Sequence, residues 1–149
     1  MSLSERIERD LKEAMRAREA GKARLSVLRL IRAAAKNQEI EKGRPLDEGE
    51  LLQVVAKEVR AREEVLPEYE RSGRDDLIAR LKEEIAILRE YLPPPLTHAE
   101  VVAAVEKAIA QVGATSRRDM GKVMGILMRE LRGRVDGDEL RRVVEERLS

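Results

Sequence analysis

The chain contains no cysteine, no phenylalanine and no tryptophan, and its 149 residues include only two tyrosines and one histidine. Without cysteine there is no disulfide framework, no thiol nucleophile and no thiolate metal site. With His98 as the sole histidine, a metal site would need carboxylates alone. The scarcity of aromatics leaves a core of Leu, Ile, Val, Ala and Met, and removes the stacking platforms on which single-strand nucleic-acid readers depend. No apolar run approaches the ~18 residues of a membrane span. The opening MSLSERIERDLKEAM is charged from its fifth residue and holds no apolar signal core. These absences lead to the expectation of a cytoplasmic protein with no membrane partner.

What is present is charge and aliphatic periodicity. Apolar residues make up 42% of the chain and charged residues 40%, the mixture that amphipathic helices produce. Arginine outnumbers lysine 22 to 8, and the only amides are Asn37, Gln38, Gln53 and Gln111. That is a thermophile-like composition, although a GC-rich genome accounts for the arginine equally well. The net charge of +1 conceals a segregation. Residues 6–44 hold 12 basic and 6 acidic side chains, whereas residues 45–92 hold 8 and 13.

Helical period runs through every long segment. Ser2 with Glu5 forms a capping box ahead of Leu3, Ile7, Leu11 and Met15. Gly21 is expected to break or bend this pattern. A second helix follows over about 22–42. On it Lys22, Arg29, Arg32 and Lys36 fall within an arc of roughly 80° and form a cationic stripe. Asp47 with Glu50 caps a third helix, in which Pro67 is expected to produce a kink or interruption. A fourth helix carries the seam Leu77, Leu81, Ile85, Leu88 and Leu92. Pro93-Pro94-Pro95 then stops any helix. Capping signals at Thr97, Ser116 and Asp136 open three more helices, the middle one stopping at Gly133. The reading is an all-α protein: an N-terminal four-helix domain over 1–92, a proline hinge at 93–96, and a small C-terminal three-helix domain over 97–149.

The middle helix of the last three, within DMGKVMGILMRELRGRVDG, is the most informative segment. It keeps Gly121 and Gly125 one turn apart on one face, at a combined cost of about 2 kcal/mol of helix propensity relative to alanine. Close approach of another backbone would offset that cost. Two partners are open: a neighbouring helix of the same domain, or an external ligand. Arg117, Arg118, Lys122, Arg129, Arg132 and Arg134 surround the glycines, against Asp119 and Glu130 alone, so an external ligand would be anionic.

No catalytic constellation accompanies this surface. Ser26 and Ser116 have no histidine near them in sequence, and His98 falls in the first turn of its helix, where a neutral or exposed ring is the default. Gly121-Lys122 is followed by valine and lacks the strand and glycine of a phosphate loop. Paired acids such as Glu63-Glu64 and Glu83-Glu84 have the spacing of solvated helix faces. The expectation is no catalytic residue, no metal and no cofactor. If nucleic acid is bound, it is recognised through shape and phosphate, as in a folded RNA and not DNA.

Three segments carry a resemblance that composition alone does not. SVLRLIRAAAKNQEIEKGRPL, EYLPPPLT and DMGKVMGILMRELRGRVDGDEL occur in the order and spacing of the YqeY family, and the similarity extends over essentially the whole chain. That family is similar in architecture to the C-terminal helical and tail domains of the GatB subunit of the glutamine-dependent aspartyl/glutamyl-tRNA amidotransferase, and of its relative GatE. The resemblance implies an appendage that holds the outer part of a tRNA without the catalytic body. Gly121, Lys122, Val123, Met124, Gly133, Arg134, Leu140 and Val144 match the tail pattern. Lys122 and Arg134 are thereby implied as RNA-facing, and Leu140 and Val144 as core. Val135 departs from the more usual alanine. The implied function is a non-catalytic tRNA-binding or amidotransferase-associated module, with the basic residues named above contacting phosphates. Its partner would be tRNA, with an amidotransferase or another translation protein. The alternatives are an accessory to a carbon–nitrogen ligase that uses glutamine as nitrogen donor, and a protein-interaction adaptor.

Overall fold

The computed structural model describes residues 1–131 and 134–148, and every regular element among them is helical. In chain order these are α1 (Leu3–Arg16), α2 (Lys22–Lys42), α3 (Glu48–Ser72), α4 (Asp75–Arg89), α5 (His98–Val112), α6 (Met120–Glu130) and α7 (Gly137–Arg147). Single 3₁₀ turns, Arg18–Gly21 and Arg117–Asp119, lead into α2 and α6. The expected stop at Gly133 lies outside the described residues.

The helix ends follow from local hydrogen bonding. Ser2 Oγ accepts from the Glu5 amide at 3.1 Å, Asp47 from Glu50 at 2.8 Å, and Thr97 Oγ1 from Glu100 at 3.2 Å. Each satisfies an amide that the first turn leaves without a partner. At the other ends, α2, α3 and α5 close on Gly43, Gly73 and Gly113, all with φ near +70°, the left-handed position that favours glycine. Pro67 does not interrupt α3, which runs unbroken from Glu48 to Ser72. Pro67 and Glu63 are both exposed, so the Glu63 carbonyl that loses its helical partner is free to bond water.

The chain divides into two compact units, Met1–Leu92 and Pro93–Ser149. In the first, α1 through α4 enclose Ile7, Leu11, Val27, Leu28, Ile31, Val54, Val55, Val59 and Leu88. The helical run breaks at Gly21 as expected, between α1 and α2, and the glycine has a packing role besides. Its φ of −97° is open to any residue. A Cβ there would lie 2.2 Å from the carbonyl oxygen of Ala14 and 2.7 Å from the Ala14 Cα. Glycine is needed because the 3₁₀ turn is pressed onto the backbone of α1.

Tyr91 is the one buried aromatic, and its surroundings brace the end of α4. Its hydroxyl donates to Asp10 Oδ2 at 2.6 Å and accepts from Arg24 Nη1 at 3.0 Å. Arg6 stacks 4.6 Å above the ring and donates to the Glu90 carbonyl at 2.8 Å. Burial, followed by the hydrogen bond to Asp10, pushes the phenol up to about 12. Burial also pushes the Asp10 carboxyl up, but the hydrogen bonds from Tyr91 and Arg9 prevail and hold it below its ordinary value. Between α2 and α3, Glu50 is enclosed by Arg44, at 2.8 Å, and by Lys42. Those two partners, with the Asp47 amide, keep its carboxyl well below the carboxylate range.

In the second unit α5, α6 and α7 pack on one another around Val101, Val105, Ala108, Val123, Leu127, Leu140, Val143, Val144 and Leu148. The proline segment is tied to this unit: the Leu96 amide donates to the Arg134 carbonyl at 3.0 Å, and Arg134 Nε donates to the Pro94 carbonyl at 3.4 Å.

Candidate nucleic-acid interface

On α6, Val123 and Leu127 are fully enclosed in the core. Gly121 and Gly125 stand two residues before each, and two helical steps turn the chain by about 200°. The glycines therefore lie on the side opposite the core, and both are exposed. A Cβ built on either would meet nothing within 4 Å. Of the two partners left open by the sequence, the neighbouring helix of the same domain is thus removed: none among the described residues covers the glycine face.

Around that opening, Lys122 and Arg129 are exposed on α6 itself, and Met128, 41% exposed, borders the glycines on the other side. Arg117 and Arg118 are exposed in the 3₁₀ turn that leads into the helix. None of these four cations forms an ion pair among the described residues. Arg129 Nε donates to the Gly125 carbonyl at 3.2 Å, which lays the guanidinium along the bare backbone. Asp119, the acid in this turn, is occupied: it accepts from the Thr115 and Ser116 amides, which hold its carboxyl below the usual value. The Asp119 carboxylate is thereby kept ionised within electrostatic reach of Lys122 and offsets part of the positive charge on this face, leaving a net surplus of cations.

Arg134 differs from the other candidates. It is half-buried and spends its carbonyl and its Nε on the proline segment, so it serves the fold of the unit. Arg132 lies outside the described residues. In the first unit Lys22, Arg29, Arg32 and Lys36 are all exposed along α2. Arg32 is paired with Glu8 at 3.3 Å, and the other three have no ion-pair partner among the described residues. The candidate set thus occupies two surfaces, one on each unit. His98 stands 3.7 Å from Glu139 on the tail surface, and among the described residues no cluster of acids or histidine has the makings of a metal site.

Sequence reasoning missed the Tyr91 network, because its partners Asp10 and Arg24 lie 81 and 67 residues away in the chain. A lone tyrosine just before a proline run was the only local signal.

The described residues thus form two all-helical units, the second presenting a bare glycine pair beside cations that have no ion-pair partner among the described residues. The chain belongs to the Yqey-like protein family, whose pattern it matches over residues 4–148. Among curated proteins it is similar to altered inheritance of mitochondria protein 41, mitochondrial, of Lachancea thermotolerans, at 31% identity over 71% of this chain and 57% of that protein. The protein of the same name from Eremothecium gossypii is 33% identical over 66% of this chain and 54% of its own length. That from Kluyveromyces lactis is 32% identical over 71% and 58%. The similarity thus spans little more than half the length of these relatives. Their names are those of mitochondrial proteins, and this overturns the expected cytoplasmic location. That expectation rested on the absence of an apolar signal core, a criterion blind to the amphipathic, Arg-rich leaders of mitochondrial proteins. No helix among the described residues is long and apolar enough to cross a membrane.

Proposed function

We propose that this protein is a non-catalytic module that binds folded tRNA, working beside an amidotransferase or another component of translation. The observation that carries the reading is the open glycine face of α6, ringed by Arg117, Arg118, Lys122 and Arg129. Gly125 in the interior of α6 weakens it by about 1 kcal/mol relative to alanine, and Gly121 in its first turn adds less. No packing among the described residues repays that. A phosphodiester backbone meets both halves of the requirement: it can approach a surface without side chains, and it carries the charge that the rim lacks. The surface is also polar and free of aromatic rings, which favours recognition by shape and phosphate over base stacking. The exposed cations of α2 would add phosphate contacts from the first unit. In the same reading the two units are separate four-helix and three-helix domains, 1–92 and 97–149, joined through 93–96.

Gly125→Val tests the role of the face. Because a Cβ there meets nothing, the melting temperature is expected to stay within a few degrees of the unaltered chain or rise slightly. Affinity for a folded tRNA is expected to fall roughly tenfold, the equivalent of ~1.4 kcal/mol. A variant unchanged in both respects would show that the glycine face contacts nothing.

A protein-adaptor role is the second reading, and one observation favours it. Between Val59 and Ile87 no described side chain is buried. The outer halves of α3 and α4 therefore project beyond the core, in the part of the chain with an acidic excess of five charges over residues 45–92. Protein recovered with the chain after nuclease treatment, with no tRNA binding in modest salt, would favour this reading.

A further inference from the structure

Arg18 is the one residue other than glycine with a positive φ among the described residues, at +52°. It follows Ala17, the residue that closes α1. Where α2, α3 and α5 end in the same left-handed conformation, the chain uses Gly43, Gly73 and Gly113. An L side chain is strained in that region and glycine is not. Something therefore favours an arginine at this corner against the backbone's own preference.

Nothing among the described residues supplies the reason. The Arg18 side chain is exposed, and no hydrogen bond or ion pair to it forms among the described residues. A cation at a helix C-terminus is favoured by the helix dipole, but Arg16 already fills that role in the last turn of α1. Instead, Arg18 stands between two other exposed cations without ion-pair partners among the described residues, Arg16 and Lys22; Glu19 is the one acid between them in sequence, and Glu83 and Glu84 line the cleft on the far side of Lys22. Lys22 in turn begins the line of exposed cations that continues through Arg29 to Lys36 along α2. Strained backbone that serves no internal contact is a mark of binding surfaces.

We infer that the corner between α1 and α2 is a phosphate-binding element, with Arg18 as its contact residue for the phosphodiester backbone of a structured RNA. This rests on the RNA-binding reading above and extends it to a residue of the first unit which neither the stripe on α2 nor the tail surface includes. An arginine in this left-handed corner puts an exposed cation just ahead of α2, where glycine would leave the corner uncharged.

The test uses the full chain and three variants, Arg18→Gly, Arg18→Gln and Arg18→Lys, with unmodified tRNA as the probe. Arg18→Gly relieves the backbone and is expected to melt a few degrees higher, while its tRNA affinity falls several-fold and its slope of log affinity against log salt flattens by about 1. Arg18→Gln keeps the strained backbone, loses the charge and should bind as weakly as Arg18→Gly. Arg18→Lys should recover most of the binding. Equal tRNA affinity for Arg18→Gln and the unaltered chain overturns the inference while leaving the tail surface as the RNA site. No tRNA binding by the unaltered chain overturns both. Loss of binding to phosphatidylserine vesicles in Arg18→Gln, with tRNA binding intact, overturns it in favour of a membrane contact.

Discussion

Gly21→Ala is expected to lower the stability of the first unit by about 3 kcal/mol, toward the upper end of what overpacking does. The added Cβ would sit 2.2, 2.7 and 2.8 Å from the oxygen, Cα and carbonyl carbon of Ala14. All three are backbone atoms, so no rotamer change relieves the clash, and the start of α2 must be pushed off α1. Those two helices bury Leu3, Ile7 and Leu11 against Val27, Leu28 and Ile31, and a shift at the crossing loosens that packing throughout. For a unit of this size the loss corresponds to a fall of roughly 12 °C or more in melting temperature, readable by calorimetry on the full chain. Gly121→Ala is the matched control. Its Cβ enters open space, so it should raise stability by up to about 1 kcal/mol through helix propensity alone. Identical melting of Gly21→Ala and the unaltered chain would contradict the close crossing.

The largest effect on binding is expected from removing the unpaired cations of the tail surface together. The informative set is Arg117→Gln, Lys122→Gln and Arg129→Gln in one chain. All three residues are exposed and without ion-pair partners among the described residues, so their loss should leave the fold intact. Arg134 is a poor choice for this purpose, because its ties to Pro94 and Leu96 would mix a stability loss with a binding loss. If each of the three contacts one phosphate, affinity for tRNA at low salt should drop on the order of 100-fold. The slope of log affinity against log salt should flatten by roughly 2 to 3. The control is Arg60, Arg71 and Lys82, exposed on α3 and α4, where the same change should matter little. Arg62 does not serve there, since it is pinned between Glu58 at 2.8 Å and Glu84 at 3.3 Å. Equal losses from both sets would indicate diffuse attraction without a defined site.

Helix ends were legible in the sequence wherever they depend on neighbours a few residues away. Ser2, Asp47 and Thr97 cap amides three residues on, and Gly43, Gly73 and Gly113 end helices through their own backbone freedom. What could not be read locally was anything decided by packing. Gly21 and the pair Gly121 and Gly125 are alike as letters in helical surroundings. Yet the first is jammed against Ala14 and the other two face open space. Pro67 was expected to disturb α3, but its exposed position lets the helix continue. The candidate interface was legible in its chemistry, since the cations and glycines cluster within 18 residues of sequence. The division of labour inside it was not: that Arg134 braces Pro94, 40 residues away, is a property of the folded unit.

The most direct test of an RNA-binding glycine face is an amide NMR titration of the ¹⁵N-labelled full chain with folded tRNA at low salt, repeated after raising the salt. Gly121 and Gly125 amides should shift or broaden together with Lys122 and Arg129, and should return toward their free positions as salt rises. Perturbations confined to α3 and α4, or unmoved Gly121 and Gly125 signals at saturating tRNA, would contradict it.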